Sequence, residues 1–370
     1  MAKTPLPNLP TSHDVARLAG VSRATVSFVL NGRARGRVSL EAQGRVRAAA
    51  ESLGYRPNRL ATALSTGRTS TIGIVCQVKD SVYIADVPGQ KHDVADAPGH
   101  YAKNMFLAVT LAAARVGLNA TLFLELLDLE LKPEDVADGR VDGIVIFGMY
   151  SHHDWVKRVA SLQMPCVEIG TRWGKWWVEA DNSGGTRLAL EHLLHLGHRR
   201  IAHYIGLPAV PFIPTMASRA TTFRAVTTEA QIPLCDAPIV HGADYLAALF
   251  DTSVPSHRQP TAIFTYNDAA AVEALDVLTA HGLRVPDDVS LVGFDNEIRS
   301  VTMRPALTTV QNPIDEIARS AVGLLRREIE ERSAAAEGII VPTQLIIRES
   351  TAAVAAPTPG TAPFVSDPRN

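Results

Sequence analysis

The sequence predicts a protein of the α/β class, in which a small all-α head precedes a core of two doubly wound parallel sheets. Residues 12–33 read as two short helices around a tight turn, and strands alternate with helices from Thr71 onward. The length of 370 residues exceeds what one ordinary core accommodates and indicates two to three domains. These observations predict the order of the elements, with the helical head first and the two parallel sheets after it.

The head opens with a helix-turn-helix pattern. The first helix carries Val15, Ala16 and Leu18 at helical spacing, Gly20 suits a left-handed turn, and Ser22 occupies an N-cap position. The second helix places Val26, Val29 and Leu30 on one face, and Arg23, Ala24, Ser27 and Phe28 on the other. The second of these faces is short, polar and cationic at its start, which suits base edges in a major groove. In isolation, the same pattern also fits an αα-hairpin packed inside a larger domain.

Charge is distributed unevenly along the chain. The first 70 residues hold eleven Lys and Arg against Asp14, Glu41 and Glu51, a net charge of +8. Because the whole chain carries −2, the remaining residues carry −10. A basic head on an acidic body favours a nucleic-acid reader over a merely solvated basic face.

Composition narrows the class of protein further. The sequence has 46% hydrophobic and 20% charged residues. It contains no apolar run of membrane-spanning length, and Met1–Pro10 has no apolar signal core. These features predict a cytoplasmic protein without a membrane partner. Cys76, Cys166 and Cys235 are far apart and form no CxxC pair. This spacing argues against a disulfide framework and against a zinc site.

The head continues beyond the two short helices. A third helix is expected from the N-cap Ser39 to the C-cap Gly54, and a short helix, Asn58–Leu64, follows Pro57. Ser65–Ser70 reads as a polar linker. Because a helix as short as Asn58–Leu64 is marginal alone, we expect it to form when docked on a partner.

The core reads as alternating strands and helices. The expected strands are Ile72–Val75, Ala120–Leu124, Gly143–Phe147, Cys166–Ile169, Ile201–Ile205, Ala262–Thr265 and Ser290–Phe294. The expected helices are Asn104–Val116, Gly184–Leu196, Ala269–His281 and Pro313–Glu331. Such alternation predicts two parallel sheets with a ligand cleft where strand carboxyl ends face each other. Residues 354–370 include several prolines and are expected to form a disordered tail.

Seven strings resemble the lactose repressor family of bacterial transcription regulators, in the family's order. They are DVARLAGVSRATVSFVLNG (14–32), LGYRPNRLATAL (53–64), DNSGGTRLALEHLLHLGHRRIA (181–202), FTYNDAAAVEAL (264–275), VPDDVSLVGFDN (285–296), PALTTVQNP (305–313) and LIIRESTA (345–352). The match covers nearly the whole ordered chain. Each string alone is a modest signal, but seven in order are very specific.

The resemblance implies a homodimer with a DNA-binding head, a hinge helix and a core like that of periplasmic sugar-binding proteins. Three crossovers would join two subdomains, and a small effector in their cleft would shift operator affinity. The expected parts are 1–56 (head), 57–70 (hinge helix and linker), 71–180 with 311–336 (N-terminal subdomain) and 181–310 with 337–353 (C-terminal subdomain). Two-fold symmetry of the dimer implies a pseudo-palindromic operator.

The family's recognition helix supplies the expected DNA contacts. Arg23 and Ala24 match its base-reading positions: Arg23 suits guanine O6 and N7, whereas Ala24 offers only apolar contact. Phe28 stands where the lactose repressor has an arginine, and either touches a thymine methyl or packs under the head. Hydroxyl and amide groups suited to phosphate oxygens are carried by Ser22, Thr25, Ser27 and Asn31. Arg33, Arg35 and Arg37 are expected to add sequence-independent affinity.

The hinge supplies the second part of the DNA interface. Leu64 matches the family's leucine that wedges between bases from the minor groove, and Ala61 lies one turn before it. Asn58 and Arg59 of the same short helix belong to the expected DNA-binding set. Taken alone, Leu64 would be an ordinary packing residue.

Matching positions also identify candidate effector contacts. They are Arg172, Arg219, Asn267, Asp268 and Asp295. Trp173, in the motif TRWGKWWVEA, is a further candidate because an aromatic ring stacks on the face of a sugar. Arginine, amide and carboxylate groups suit a polyhydroxyl ligand because each planar group binds adjacent hydroxyls in pairs. Two alternatives stay open: Asp268 instead caps the helix that follows it, and Trp173, Trp176 and Trp177 instead pack at the subdomain crossover.

Two departures from the family affect the cleft. Gln77–Lys103 is long where the family has a short effector-contacting loop, and Asn312 stands where many members carry glutamine. The role of the long segment stays open between a lid, a partner-binding loop and a tolerated insertion.

The sequence therefore predicts a dimeric, effector-responsive DNA-binding regulator of the repressor type, with no cofactor, no metal and no catalytic residues. The expected effector is a sugar or sugar derivative, and a nucleobase- or nucleoside-responsive regulator is the alternative. His192, His195 and His198 mark a helix terminus rather than a metal site. An enzyme with a helix-turn-helix head and a sugar-transport protein are the rivals from other classes; no P-loop, GxSxG, HExxH or GxGxxG supports the former.

Overall fold

The structure is a computed structural model that describes residues 10–32, 34–56, 63, 66–77, 100–125, 131–148, 153–206, 214–332 and 335–354. The chain divides into two compact units, Met1–Ser70 and Thr71–Asn370. Several sequence predictions lie outside the described residues: the hinge contacts Asn58, Arg59, Ala61 and Leu64, the loop arginine Arg33, most of the segment 77–103, and residues 355–370.

The described residues of the first unit include three helices around a small apolar core. They are α1 (Ser12–Ala19), α2 (Arg23–Leu30) and α3 (Leu40–Ser52). Val15, Val26 and Val46, one from each helix, are almost completely buried against one another. Gly20 adopts φ 65° between α1 and α2, as expected of the tight turn. Leu18, expected on the packed side, is instead exposed.

Side-chain caps define where these helices begin. Thr11 and Asp14 form a reciprocal capping box at the start of α1. The Ser39 hydroxyl accepts from the Ala42 N–H at 3.2 Å, so α3 begins where its N-cap was predicted. Gly54 has φ 62° just past the last turn of α3, which matches the predicted stop signal.

The residues of the second unit that the structure describes form two six-stranded sheets. The first has the order β11-β5-β4-β3-β1-β2 and is formed by β1 (Thr71–Gln77), β2 (Asn119–Glu125), β3 (Gly143–Phe147), β4 (Cys166–Ile169), β5 (Trp176–Ala180) and β11 (Glu337–Val341). The second has the order β12-β10-β9-β8-β6-β7 and is formed by β6 (Ile201–Ile205), β7 (Ile239–His241), β8 (Ala262–Thr265), β9 (Ser290–Asp295), β10 (Thr308–Gln311) and β12 (Gln344–Ile346). Among these twelve described strands, every pairing is parallel except that of β10 with β12.

Helices cover both faces of each sheet. They are α4 (His100–Arg115), α5 (Pro133–Val136), α6 (His153–Ser161), α7 (Asn182–His195), α8 (Pro214–Glu229), α9 (Ala243–Ala248), α10 (Asp268–Ala280), α11 (Ile298–Thr302) and α12 (Ile314–Glu331). In the first sheet α4 and α12 pack on one face and α6 on the other; in the second, α7 and α8 pack opposite α9 and α10. The predicted doubly wound α/β architecture is confirmed.

The chain crosses between the sheets three times, after β5, after β10 and after β11. These crossovers correct two expected boundaries. Glu337–Val341 pairs with β5 in the first sheet, so this segment does not belong to the C-terminal subdomain, and Gln311 ends a strand of the second sheet. The first error arises because β11 is a short edge strand and lacks the continuous apolar run that marks a buried strand.

Candidate functional site

The start of α2 is organised by two hydroxyl side chains. The Ser22 hydroxyl accepts from the Thr25 N–H at 3.1 Å, and the two side-chain oxygens lie 2.9 Å apart. The predicted N-cap at Ser22 is present. First-turn N–H groups of a helix carry partial positive charge, so this end of α2 suits a phosphate oxygen.

The outward face of α2 is open. Arg23, Ala24 and Ser27 are exposed, whereas Val26 and Val29 point into the core. The Asn31 amide donates to the Ser27 hydroxyl at 3.1 Å, which fixes the last turn of this face. The structure thus brings together Ser22, Arg23, Ala24, Thr25, Ser27, Phe28 and Asn31 on one short helix and its caps.

Phe28 is half-buried, and the guanidinium carbon of Arg37 lies 5.4 Å from its ring centroid. Its ring is therefore neither a free apolar surface nor a full member of the head core. No local sequence pattern predicts this contact, because Arg37 comes from the loop between α2 and α3.

The arginines of the head fall into two groups. Arg17 pairs with Asp14 at 2.8 Å, and Arg45 both pairs with Glu41 and donates to the Ala19 carbonyl at 3.1 Å. The second group forms no ion pair within the part of the chain that the structure describes; it comprises Arg23, Arg35, Arg37, Arg47 and Arg56, all exposed. These cations remain available to a polyanion.

In the second unit, polar side chains meet where the carboxyl ends of the strands face the cleft. Arg219 of α8 lies at its centre and is only 4% exposed. Its Nε donates to Asn182 Oδ1 at 2.9 Å, Nη1 donates to the Tyr266 carbonyl, and Nη2 lies 3.7 Å from Asp295 Oδ1. The guanidinium carbon also lies 3.4 Å from the Phe294 ring centroid. Arg219 therefore has protein partners on every nitrogen.

Asp295 ends β9 in an unusual backbone conformation. Its φ is 105° and that of Asn296 is 54°, so two consecutive non-glycine residues occupy a region that side chains rarely adopt. The Asn312 amide donates to Asp295 Oδ1 at 3.2 Å. Strain of this kind is retained where it aims a side chain, and here it aims the Asp295 carboxylate at Arg219.

Asn312 also contributes an unsatisfied acceptor. Its Oδ1 is buried and has no hydrogen-bond partner among the described residues. A buried amide oxygen without a donor is costly, so a bound molecule that supplies a donor would relieve it.

Asn267 and Asp268 have different local roles. Asn267 is the N-cap of α10 and accepts from the Ala270 N–H at 2.9 Å. Asp268, expected either to cap α10 or to contact ligand, is not the cap. It is completely buried and accepts from the Thr309 hydroxyl at 2.5 Å and the Glu297 N–H at 2.7 Å. Burial raises the pKa of its carboxyl well above the usual range.

Two residues that the effector prediction missed complete this cluster. Tyr101 of α4 comes from the first subdomain, and its main-chain N–H donates to the Glu297 carboxylate of the second. Burial raises the pKa of Tyr101, with a further increase from Asp295. Burial and then Asp295 raise the pKa of Glu297 to about 7. No sequence signal marks Glu297, because its proximity to Tyr101 depends on how the two sheets are placed.

Arg172 and Trp173 show no contact with the Arg219 cluster. Arg172 is paired with Glu179, and its guanidinium carbon lies 4.3 Å from the Trp177 ring centroid. Trp173 is half-buried against the α6 side of the first sheet, and its ring centroid lies 5.5 Å from that of His153. The buried Glu168 carboxylate accepts from the Thr171 hydroxyl and the Trp173 N–H, which fixes this loop.

The other two tryptophans pack within the first sheet. Trp176 is buried in its core, and the Trp177 ring lies across Gly338, where a Cβ atom would clash with it. Both positions agree with the packing alternative for this motif rather than with ring stacking on a ligand.

His198 is buried just after the last turn of α7. His198 Nδ1 lies 2.9 Å from the Thr261 hydroxyl oxygen and Nε2 lies 3.0 Å from the Ala352 carbonyl oxygen, so both ring nitrogens have protein partners. In the described ranges no group of three or more His, Cys, Asp or Glu side chains could hold a metal ion. No helix among them is both long and apolar enough to span a bilayer.

An open cationic helix-turn-helix face and an enclosed polar cleft between two α/β subdomains define a ligand-binding DNA-binding protein. Residues 11–58 match the model for bacterial regulatory proteins of the lacI family, and residues 190–351 match that for a periplasmic binding protein-like domain. The chain is 30% identical over 363 residues to the HTH-type transcriptional repressor PurR of Mannheimia succiniciproducens, covering 94% of this chain and 100% of that one. It is 29% identical over 354 residues to the HTH-type transcriptional regulator DegA of Bacillus subtilis, covering 92% and 98%.

Solved structures agree with these relatives. The Lac repressor dimer bound to operator and the anti-inducer ONPF has a TM-score of 0.71 and 25% identity, covering 93% of this chain and 99% of that one. The transcriptional regulator CelR–cellobiose complex has a TM-score of 0.61 and 26% identity, covering 92% and 99%. The chain belongs to the lacI family of bacterial regulatory proteins. It is a DNA-binding transcriptional regulator with an effector-binding core.

Proposed function

We propose that this regulator is a repressor whose operator affinity is set by a neutral, hydroxyl-rich effector, a sugar or sugar derivative, bound beside Arg219, Asp295 and Asn312. The observation that carries this proposal is the imbalance between donors and acceptors in the cleft. Two N–H groups of Arg219 donate to protein acceptors and its Nη2 is paired with Asp295, whereas the Asn312 amide oxygen has no donor at all among the described residues.

Unsatisfied hydrogen-bond acceptors in the cleft favour a ligand that supplies hydrogen-bond donors. The carboxylates of Asp295 and Glu297 add further acceptor capacity, because each oxygen accepts more than one hydrogen bond. Vicinal hydroxyls supply donors in the spacing that a planar carboxylate or amide accepts. An anionic ligand such as a sugar phosphate would bring more acceptors and negative charge to this cluster, so we place it behind neutral sugars.

A nucleobase or nucleoside is the second candidate. Two phenol rings favour it: Tyr101 lies close enough to Asp295 and Arg219 for their charges to shift its pKa, and Tyr266 has the Arg219 guanidinium carbon 4.8 Å from its ring centroid. A flat base stacks on such rings. The relative named PurR is consistent with this alternative, and the relative CelR, solved with cellobiose, is consistent with the first.

The test is a thermal-shift screen of the full chain against neutral sugars, sugar phosphates and nucleobases, followed by titration calorimetry of each hit. We expect neutral sugars to raise the melting temperature and Asp295→Asn to abolish the shift; Asp138→Asn, remote from the cleft, is the matched control. A hit that changes DNA affinity in fluorescence anisotropy would identify the effector and the direction of control. Binding of nucleobases alone would overturn the carbohydrate assignment.

The proposed assembly is a homodimer on a pseudo-palindromic operator, acting in the cytoplasm with no enzymatic activity. The exposed leucines Leu107 and Leu111 lie one turn apart on α4, and Leu122 is exposed on β2, the edge strand of the first sheet. Large apolar side chains grouped at a sheet edge are typical of a subunit interface. Leu111→Glu should shift the protein from dimer to monomer in analytical ultracentrifugation; a dimer that persists would contradict this interface.

A further inference from the structure

The loop between α2 and α3 presents an arginine from a constrained turn. Ala34 is buried in the head core, and its carbonyl accepts from the Arg37 N–H at 3.0 Å and the Val38 N–H at 3.1 Å. Gly36 adopts φ 72°, a conformation that closes the turn. Arg35 and Arg37 are exposed on this turn, so the main chain that carries them is held in place.

Phe28 gives one of these arginines a defined direction. It lies one helical turn after Ala24, on the outward half of α2, and the Arg37 guanidinium lies over its ring at 5.4 Å. Guanidinium groups stack on aromatic faces and keep their N–H edge free for hydrogen bonding. Arg37 is therefore positioned by a side chain of the recognition helix, whereas no ring contact of this kind is found for Arg35 in the described residues.

Two positions of the reading face carry no hydrogen-bond donor. Ala24 and Phe28 are apolar, so a base edge opposite them receives no hydrogen bond from α2 itself. We propose that Phe28 and Arg37 form one composite base reader, in which the ring aims the guanidinium at a guanine in the major groove beyond the base contacted by Arg23. This inference rests on the DNA-binding function of the head and replaces the expected sequence-independent role of Arg37.

A composite base reader and a simple phosphate contact predict different results for a substitution of Arg37. A bidentate arginine–guanine contact discriminates between bases, whereas a phosphate contact weakens all sequences alike and contributes about one to the salt slope. Arg37→Lys keeps the positive charge but loses the planar guanidinium group that donates two parallel hydrogen bonds. It should therefore lower affinity for the selected site about 10- to 100-fold while leaving the salt dependence nearly unchanged.

The experiment begins with selection of binding sites from randomised duplexes by the full chain. Dissociation constants are then measured at three salt concentrations for the selected duplex and for duplexes in which each guanine is replaced in turn. The variants are Arg37→Lys, Phe28→Ala and both together, with Arg35→Lys as the matched control from the same turn. Phe28→Tyr retains the ring and should retain the specificity; thermal melts establish that each variant is folded.

We expect Arg37→Lys and Phe28→Ala to lose discrimination at the same guanine, and the double variant to lose no more than either alone. Equal weakening on every duplex, independent effects of the two substitutions, or identical behaviour of Arg37→Lys and Arg35→Lys would overturn the composite reader. In each of these outcomes the wild-type chain still selects a DNA sequence, so the DNA-binding function of the regulator is not contradicted. A wild-type chain that enriches no sequence would contradict that function and the pair with it.

Discussion

The head and the cleft both use arginine, but in opposite states. Arg23 and Arg37 are exposed and form no ion pair among the described residues, whereas Arg219 is buried with an acceptor at each nitrogen. DNA supplies the counter-charge for the head when it binds. An enclosed site has no such external counter-charge, and an unpaired buried charge costs free energy. The charged side chains of the cleft are therefore paired with one another. The same residue type thus serves intermolecular contact in one region and internal organisation in the other.

The largest effect expected from this contrast is on folding stability. In a buried site, Arg219→Ala would leave Asn182 Oδ1 and the Tyr266 carbonyl without this donor and the Asp295 carboxylate without its counter-charge. The free energy of unfolding should fall by about 3–5 kcal/mol, measured by urea denaturation. Arg23→Ala is the matched control and should change it by less than about 0.5 kcal/mol. Equal stability of the two variants would mean that the buried Arg219 contributes no more to folding than the exposed Arg23.

Arg23→Ala should instead act on DNA. Losing a bidentate contact to guanine weakens binding to the selected operator by about 1–3 kcal/mol, or roughly 5- to 150-fold. Anisotropy titrations against operator and against unrelated duplex measure this loss, with Arg17→Ala as a control because Arg17 is paired with Asp14. If Arg23→Ala weakens both duplexes equally, Arg23 contacts phosphate rather than a base.

Glu297→Gln tests the buried charge of the cleft through pH. Burial raises the pKa of Glu297 to about 7, from 4.5 in the unfolded chain, so the folded state holds the proton more tightly. This contribution to stability is complete below about pH 4.5 and is lost as the pH rises through about 7. Glutamine cannot ionise, so at pH 8 the variant should be more stable than wild type by on the order of 2 kcal/mol.

The measurement is urea denaturation of both chains from pH 4.5 to pH 8, taken as the difference between variant and wild type. Glu51→Gln, at an exposed position on α3, controls for the loss of a glutamate as such. Parallel profiles for Glu297→Gln and wild type would mean that Glu297 is solvated rather than buried.

The smallest effect separates helix capping from ligand contact at Asn267. Asn267→Ala removes the acceptor for the Ala270 N–H and should lower stability by about 1 kcal/mol. Asn267→Asp retains the cap and should restore the stability. If effector affinity, measured by calorimetry, falls in the aspartate variant as well, the amide N–H₂ contacts the ligand; unchanged affinity would limit Asn267 to capping.

Local patterns predicted much of the fold. Gly143–Phe147, Cys166–Ile169, Ile201–Ile205 and Ala262–Thr265 have the bounds that their apolar runs indicated. The caps Ser22 and Ser39 also lie where predicted, because a cap depends on neighbours three residues away. Helix α8 was missed because threonines interrupt its apolar spacing, and β11 because an edge strand needs no continuous apolar run.

The sequence by itself determined the class of protein, the alternation of strands and helices in the core and the residues on the recognition helix, since all of these depend on spacing along a few turns. Only the tertiary structure decided that Arg37 lies over Phe28, that Arg219 is already paired, and that Glu297 accepts from Tyr101. Each of these contacts joins residues brought together by loops or by the placement of two sheets. Such placement follows from packing of the whole core, and no local pattern in the chain encodes it.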